Sequence, residues 1–186
     1  MKYADNCILK KSGTILVIVD IQEKLASVMN KREQVVRNCL HLIQAAKLLS
    51  IPVILTEQYP KGLGPTVSEI KDALPSYEPF IKIAFDCCSE EGFSEMITSS
   101  HKKQVLLFGM ETHICVLQTC LGLLEKGFAV HVVGDAVCSR KKADFRTGIE
   151  MMRSAGAVIT GTETALFQLL EKAGTDEFRE ISKRIK

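Results

Sequence analysis

The chain has 186 residues, 46% of them hydrophobic, with 24 basic residues against 22 acidic ones spread along its length. That length suits a single domain over residues 1–186 that buries roughly 70% of its unfolded surface and folds without staples. The formal charge of +2 leaves no electrostatic footprint for nucleic acid or an anionic membrane.

The opening "MKYADNCILKK" carries Asp5 and lacks the apolar core of a signal peptide, and nothing later reaches the ~18 apolar residues of a membrane span. Seven cysteines, an odd number, fit a reducing, cytoplasmic compartment better than a disulfide framework. "TILVIVD" (14–20) then reads as the first strand, bounded by Gly13. "EQVVRNCLHLIQAAKLLS" (33–50) follows with an i, i+3/i+4 stripe through Val36, Leu40, Ile43, Ala46 and Leu49, the pattern of a helix. "IPVILTEQ" (51–58) is the second strand, and "FIKIAF" (80–85) is a short third one.

Between them, residues 59 to 80 hold two glycines and four prolines. This reads as a long, largely irregular excursion, and such loops often serve function. "KQVLLFG" (103–109), "FAVHVVGD" (128–135) and "AVIT" (157–160) complete six strands, with helices near 92–100, 114–126, 143–155 and 163–172. Apolar β-branched runs alternating with helical periods predict an α/β fold, a three-layer αβα sandwich around a doubly wound, six-stranded parallel sheet. The basic run "SRKKADFR" (139–146) reads as a solvated loop and helix start.

In such a sheet ligands bind beyond the carboxyl ends of the strands. Asp20, Glu57, Gln58, Lys82 and Cys115 all fall on that rim. Asp20 is either a helix N-cap or a carboxylate in a partly dry cleft, where it can act as a base. Lys82, flanked by "FI" and "IAF", either faces solvent from an edge strand or is buried and requires a partner. Beside a thiol, an Asp20–Lys82 pair is expected to lower the thiol pKa.

Six of the seven cysteines, at 7, 39, 87, 88, 120 and 138, read as small core residues. Cys115 differs because it opens a helix after a strand, where the dipole favours a thiolate and free N–H groups can hold an oxyanion. Cys120, about 140° further round that helix, packs inward. His113 is a poor base for Cys115, since residues two apart do not face each other. The histidines at 41, 101, 113 and 131 are scattered and no metal motif occurs, so neither a metal nor a cofactor is expected. A phosphoacceptor module also ends its first strand in an aspartate, but it needs a second acid where Ile21 stands.

Together these residues resemble the isochorismatase-like cysteine hydrolase superfamily. "LVIVDIQEKL" (16–25) is similar to its strand-one aspartate motif, Lys82 in "FIKIAF" to its lysine, and "GMETHICV" (109–116) to its nucleophile elbow. "GDAVCSR" (134–140) and "GTETALFQLL" (161–170) look like its later segments, and "TEQYPKGLGPTVSEI" (56–70) is similar to the isochorismatase domain-containing subgroup. The resemblance implies Cys115 as nucleophile, Asp20 as base and Lys82 as the cation that stabilises the thiolate. It further implies a cis peptide at Met110–Glu111, with the backbone N–H groups of Glu111 and Cys115 aimed at the substrate oxyanion. Gln58 and Pro60 stand where nicotinamidases carry a metal-binding Asp-x-His, so the likeness does not extend to that metal. Isochorismatases proper generally lack the cysteine, so Cys115 argues against vinyl ether cleavage.

The expected activity is hydrolysis of a small amide or related C–N bond through a Cys115 thioester, on a small-molecule substrate that Gln58 and Tyr59 contact. The alternative is a catalytically silent binding or scaffolding protein. Nucleic acid and membrane are not expected partners, and by analogy the chain forms a homo-oligomer.

Overall fold

A computed structural model describes residues 7–185. The reading of the N-terminus as no signal peptide rests partly on residues 1–6, Asp5 included, which lie outside that range.

Six parallel strands form one sheet in the order β3-β2-β1-β4-β5-β6, with helices on both sides. The strands are β1 (Thr14–Val19), β2 (Val53–Gln58), β3 (Phe80–Lys82), β4 (Gln104–Met110), β5 (Ala129–Cys138) and β6 (Val158–Thr160). Every residue of β1 is buried, because it pairs with β2 on one side and β4 on the other under helices on both faces. A central strand of this kind has no polar face, which is why its sequence runs apolar instead of alternating. Strand order reverses between β1 and β4, so Asp20 and the turn after Met110 leave the sheet side by side.

The helices are α1 (Glu23–Ala26), α2 (Arg32–Leu49), α3 (Pro60–Leu63), α4 (Ser68–Ala73), α5 (Phe93–Ser99), α6 (Leu117–Glu125), α7 (Lys142–Ser154), α8 (Thr162–Leu170) and α9 (Asp176–Arg184). α2 stops at Ser50, a left-handed residue (φ 53°) whose N–H reaches back to Ala46 O and Lys47 O. Pro52 then prevents the helix from resuming. The buried stripe of α2 is Val35, Val36, Cys39, Leu42, Ile43, Ala45 and Ala46, broader than periodicity suggested, while Leu40 and Leu49 are only partly buried.

Four expectations change. The excursion over 59–80 is not largely irregular: Pro60 starts α3 with its preset φ, and α4 lays the buried Ile70 against α2. The third strand ends at Lys82 and does not run to residue 85, because Ile83 and Ala84 turn their N–H groups onto the Glu90 carboxylate, not onto a neighbouring strand. The fifth strand does not end at Asp135, as the sequence suggests, but continues to Cys138. Its pairing with β4 shifts on the way, from Leu107↔Val132 to Gly109↔Val137, and resumes as far as Met110↔Cys138. Finally α9 was not anticipated; its N-cap Thr175 accepts a hydrogen bond from Phe178 N–H. Among the described residues no helix is long and apolar enough to cross a membrane.

Candidate active site

Asp20 follows β1 with φ of 49° and its side chain fully buried. A left-handed aspartate turns the chain out of the sheet while its carboxylate stays under the rim. Thr56 Oγ1 donates to Asp20 Oδ1 at 2.7 Å, and Lys82 Nζ donates to Asp20 Oδ2 at 2.7 Å. The N-cap alternative fails, since no side chain caps α1.

Lys82 is the last residue of the edge strand, yet it is only 1% exposed. Alternation turns Ile81 and Ile83 outward and the lysine inward. Its ammonium also donates to Gln58 Oε1 at 2.7 Å and, more distantly, to Ala84 O and Phe85 O at 3.3 and 3.4 Å. Burial alone would lower its pKa, but the charges of Asp20, Cys115 and Cys87 outweigh this and hold it above the ordinary lysine value. Lys82 is therefore a permanent cation opposite Asp20.

Cys115 is 5% exposed and lies in a π-helical turn, Thr112–Val116, that precedes α6. The Met110–Glu111 peptide that enters the turn is cis. Glu111 O receives both Ile114 N–H at 3.1 Å and Val116 N–H at 3.2 Å, which winds the turn wider than an α-helix. The sulfur stands 4.0 Å from Gln58 Oε1 and is close enough to Asp20 and Lys82 to feel both charges. So the structure brings Asp20, Lys82 and Cys115 together from three strand ends.

The expected lowering of the thiol pKa is reversed. Burial and the Asp20 charge push the Cys115 thiol far above its ordinary value, and Lys82 offsets only part of this. The lysine's charge is already opposed by the Asp20 carboxylate 2.7 Å from it. A resting thiol beside a carboxylate fits proton transfer at the moment of attack better than a stored thiolate.

Gln58 was read as a substrate contact, but both ends of its amide are occupied: Oε1 by Lys82, and Nε2 donating to Ile83 O at 2.6 Å. It aims the lysine. Tyr59 stands beside the site, half exposed, with its backbone N–H on Lys82 O at 2.9 Å. His113 Nδ1 lies 2.9 Å from Ser139 Oγ, and its other ring nitrogen faces Asp144 at 3.8 Å. Neither contact serves Cys115.

Three contributors escaped the sequence reading. Thr56 supplies the second donor to Asp20, and its place two residues before Gln58 on β2 was the available signal. Cys87, buried as expected, sits close enough to Asp20 and Lys82 to feel both charges, and burial lifts its thiol to about 12. The Glu111 carboxylate receives Arg140 N–H at 2.9 Å and its Nε at 3.2 Å, which ties the cis turn to the end of β5. Nothing in the spacing foretold this, because it depends on the register shift in β5.

Gln58 and Pro60 offer no metal ligand: the amide is engaged and the proline opens α3. Among the described residues no three His, Cys, Asp or Glu side chains cluster as ligands.

The isochorismatase domain model matches residues 14–164. The secreted isochorismatase effector Isc1 of Phytophthora sojae (strain P6497) is 43% identical over 178 residues, 94% of this chain and 85% of that relative. Among solved structures, the MAR1 ribonuclease of Caenorhabditis elegans is similar with a TM-score of 0.89 and 38% identity, over 96% of this chain and 92% of its own. The YcaC gene product of Escherichia coli, an octameric hydrolase of unknown specificity, also has a TM-score of 0.89, at 25% identity, over 95% of this chain and 90% of its own. With that match across most of its length, the chain belongs to the isochorismatase family.

Proposed function

We propose that this protein is a cysteine hydrolase that opens a small amide or related C–N bond through a thioester on Cys115. The observation that carries the reading is the fully buried Asp20–Lys82 pair, 2.7 Å apart, with the nearly buried Cys115 thiol close enough to feel both charges. An isolated structural ion pair needs no nucleophile beside it.

In the first half-reaction the Cys115 S–H proton passes to Asp20 as the sulfur attacks the carbonyl carbon. The oxyanion that forms is met by the backbone N–H groups of Glu111 and Cys115. Asp20 returns the proton to the leaving nitrogen as the C–N bond breaks, releasing an amine or ammonia and leaving a thioester. Water then attacks, again giving its proton to Asp20, and as the C–S bond breaks Asp20 returns that proton to the Cys115 sulfur, releasing a carboxylic acid and restoring the thiol. Lys82 keeps its proton throughout, holding Asp20 in place and favouring its ionised form between proton transfers; no metal or cofactor enters the scheme. A reducing, cytoplasmic setting suits the seven free cysteines, whereas the Phytophthora sojae relative is named as secreted.

The second reading, a binding protein without turnover, is favoured by the upward-shifted and nearly buried thiol. A panel of small primary amides separates the two by release of ammonia and acid. Turnover that falls by at least about 10³-fold in Cys115→Ala and by 10²–10⁴-fold in Asp20→Asn supports the hydrolase. Turnover that survives Cys115→Ala defeats it, and an RNA substrate in the same panel tests the activity named for the Caenorhabditis elegans neighbour.

A further inference from the structure

A cavity of about 380 Å³ opens at the carboxyl end of β5, against the starts of α2 and α7. Its size is within the range of small-molecule sites. Val137, Cys138 and Phe145 give it an apolar wall, and Lys31, Arg140 and Lys142 stand at its edge. No carboxylate lines it, and neither does Cys115.

The cations are not equivalent. Arg140 spends Nε and Nη2 on the Glu111 carboxylate, leaving Nη1 without a hydrogen-bond partner among the described residues. Lys31 and Lys142 form no ion pair among those residues. Asp144, close in sequence, faces His113 at 3.8 Å and is near enough to act on the Arg140 guanidinium, but it forms no ion pair with either lysine. Two uncompensated ammonium groups and half of a guanidinium fork therefore border a largely apolar hollow. That is the complement of an anion carried on an apolar body, since two point charges and the free Nη1 donor of Arg140 suit a carboxylate.

We propose that this cavity is a second ligand site that takes a small organic monocarboxylate. The apolar body rests against Val137, Cys138 and Phe145, and the carboxylate meets Lys31, Lys142 and Nη1 of Arg140. Occupancy and the Glu111 contact share one guanidinium, so the ligand reaches the turn that carries Cys115 without touching the thiol. The site stands whether or not Cys115 acylates.

Benzoate is a suitable probe, with benzyl alcohol as its neutral counterpart and inorganic phosphate as an anion lacking the apolar body. Titration calorimetry at fixed ionic strength should give saturable benzoate binding to the intact chain, equal within about twofold in Cys115→Ala. Lys31→Gln combined with Lys142→Gln should weaken it about tenfold or more, as should replacing the probe by benzyl alcohol or phosphate. Both lysines are exposed, so the double variant keeps its fold, and circular dichroism checks this. Absence of saturable binding overturns the proposal, as does binding lost in Cys115→Ala or indifferent to the lysine pair. Phosphate binding as tightly as benzoate also overturns it, reducing the feature to a general anion patch.

Discussion

Asp20 and Lys82 are each costly to bury alone, and their side chains have no exposure at all. Lys82→Met leaves the carboxylate uncompensated and should destabilise the fold by about 3–5 kcal/mol in urea unfolding, whereas Asp20→Asn with Lys82→Met should cost clearly less. A double variant as unstable as the single one contradicts the pairing. Because the folded pKa of Lys82 lies above its unfolded value, the pair's share of stability is full below the unfolded value. It is lost as pH rises through the folded one, so the cycle belongs at neutral pH. The thiol gives an independent check. With the Cys115 pKa pushed up by burial and by Asp20, its alkylation by iodoacetamide should keep accelerating with pH beyond the point where the urea-unfolded chain levels off, near the ordinary thiol value of about 8.5. A native profile that plateaus below pH 8 would mean a stored thiolate. Sequence reading named Asp20, Lys82 and Cys115 from their strand ends and from family likeness. It assigned the thiol shift the opposite sign, because the depth to which Cys115 is buried, the largest cause of the upward shift, is not contained in spacing.

Elements place these groups by a few close approaches. Gly109, next to last in β4, has φ of 133°, and a Cβ there would lie 2.0 Å from Val19 O. The glycine lets β4 crowd against the end of β1, which sets the elbow beside Asp20. Gly109→Ala should therefore cost about 3 kcal/mol or more in chemical denaturation; a loss under 1 kcal/mol would show that β4 can give way. Gly148 has a related role, since a Cβ on α7 would meet Thr112 O at 2.9 Å. The strands with continuous apolar runs, β1 and β4, were legible because burial on both faces writes itself into composition. β3 and the end of β5 were not, because side chains and a register shift decide them: the Glu90 carboxylate ends one, and the excursion through Gly134 and Asp135 prolongs the other.

At the scale of the whole molecule, the doubly wound parallel layout follows from alternation of strand and helix, whereas the strand order β3-β2-β1-β4-β5-β6 is set by which edges pair and is not written in that alternation. Oligomeric state was not legible in the sequence. The edge at β3 leaves Ile81, Ile83 and Phe85 at least half exposed, one alternating apolar row beside Lys82. Such an edge invites pairing, and the Escherichia coli neighbour is an octamer. We propose that this row lies between copies of the chain; Ile83→Asp should then yield a smaller species in light scattering coupled to gel filtration, while an unchanged mass, or a monomeric parent, removes the idea. The central claim, acyl transfer to Cys115, is tested most directly by intact-mass spectrometry of the protein quenched during turnover of an amide found active in the panel. The account predicts a mass increase equal to the acyl group, mapped to Cys115 and absent from Cys115→Ala; turnover with no adduct on Cys115, or an adduct on another cysteine, would contradict it.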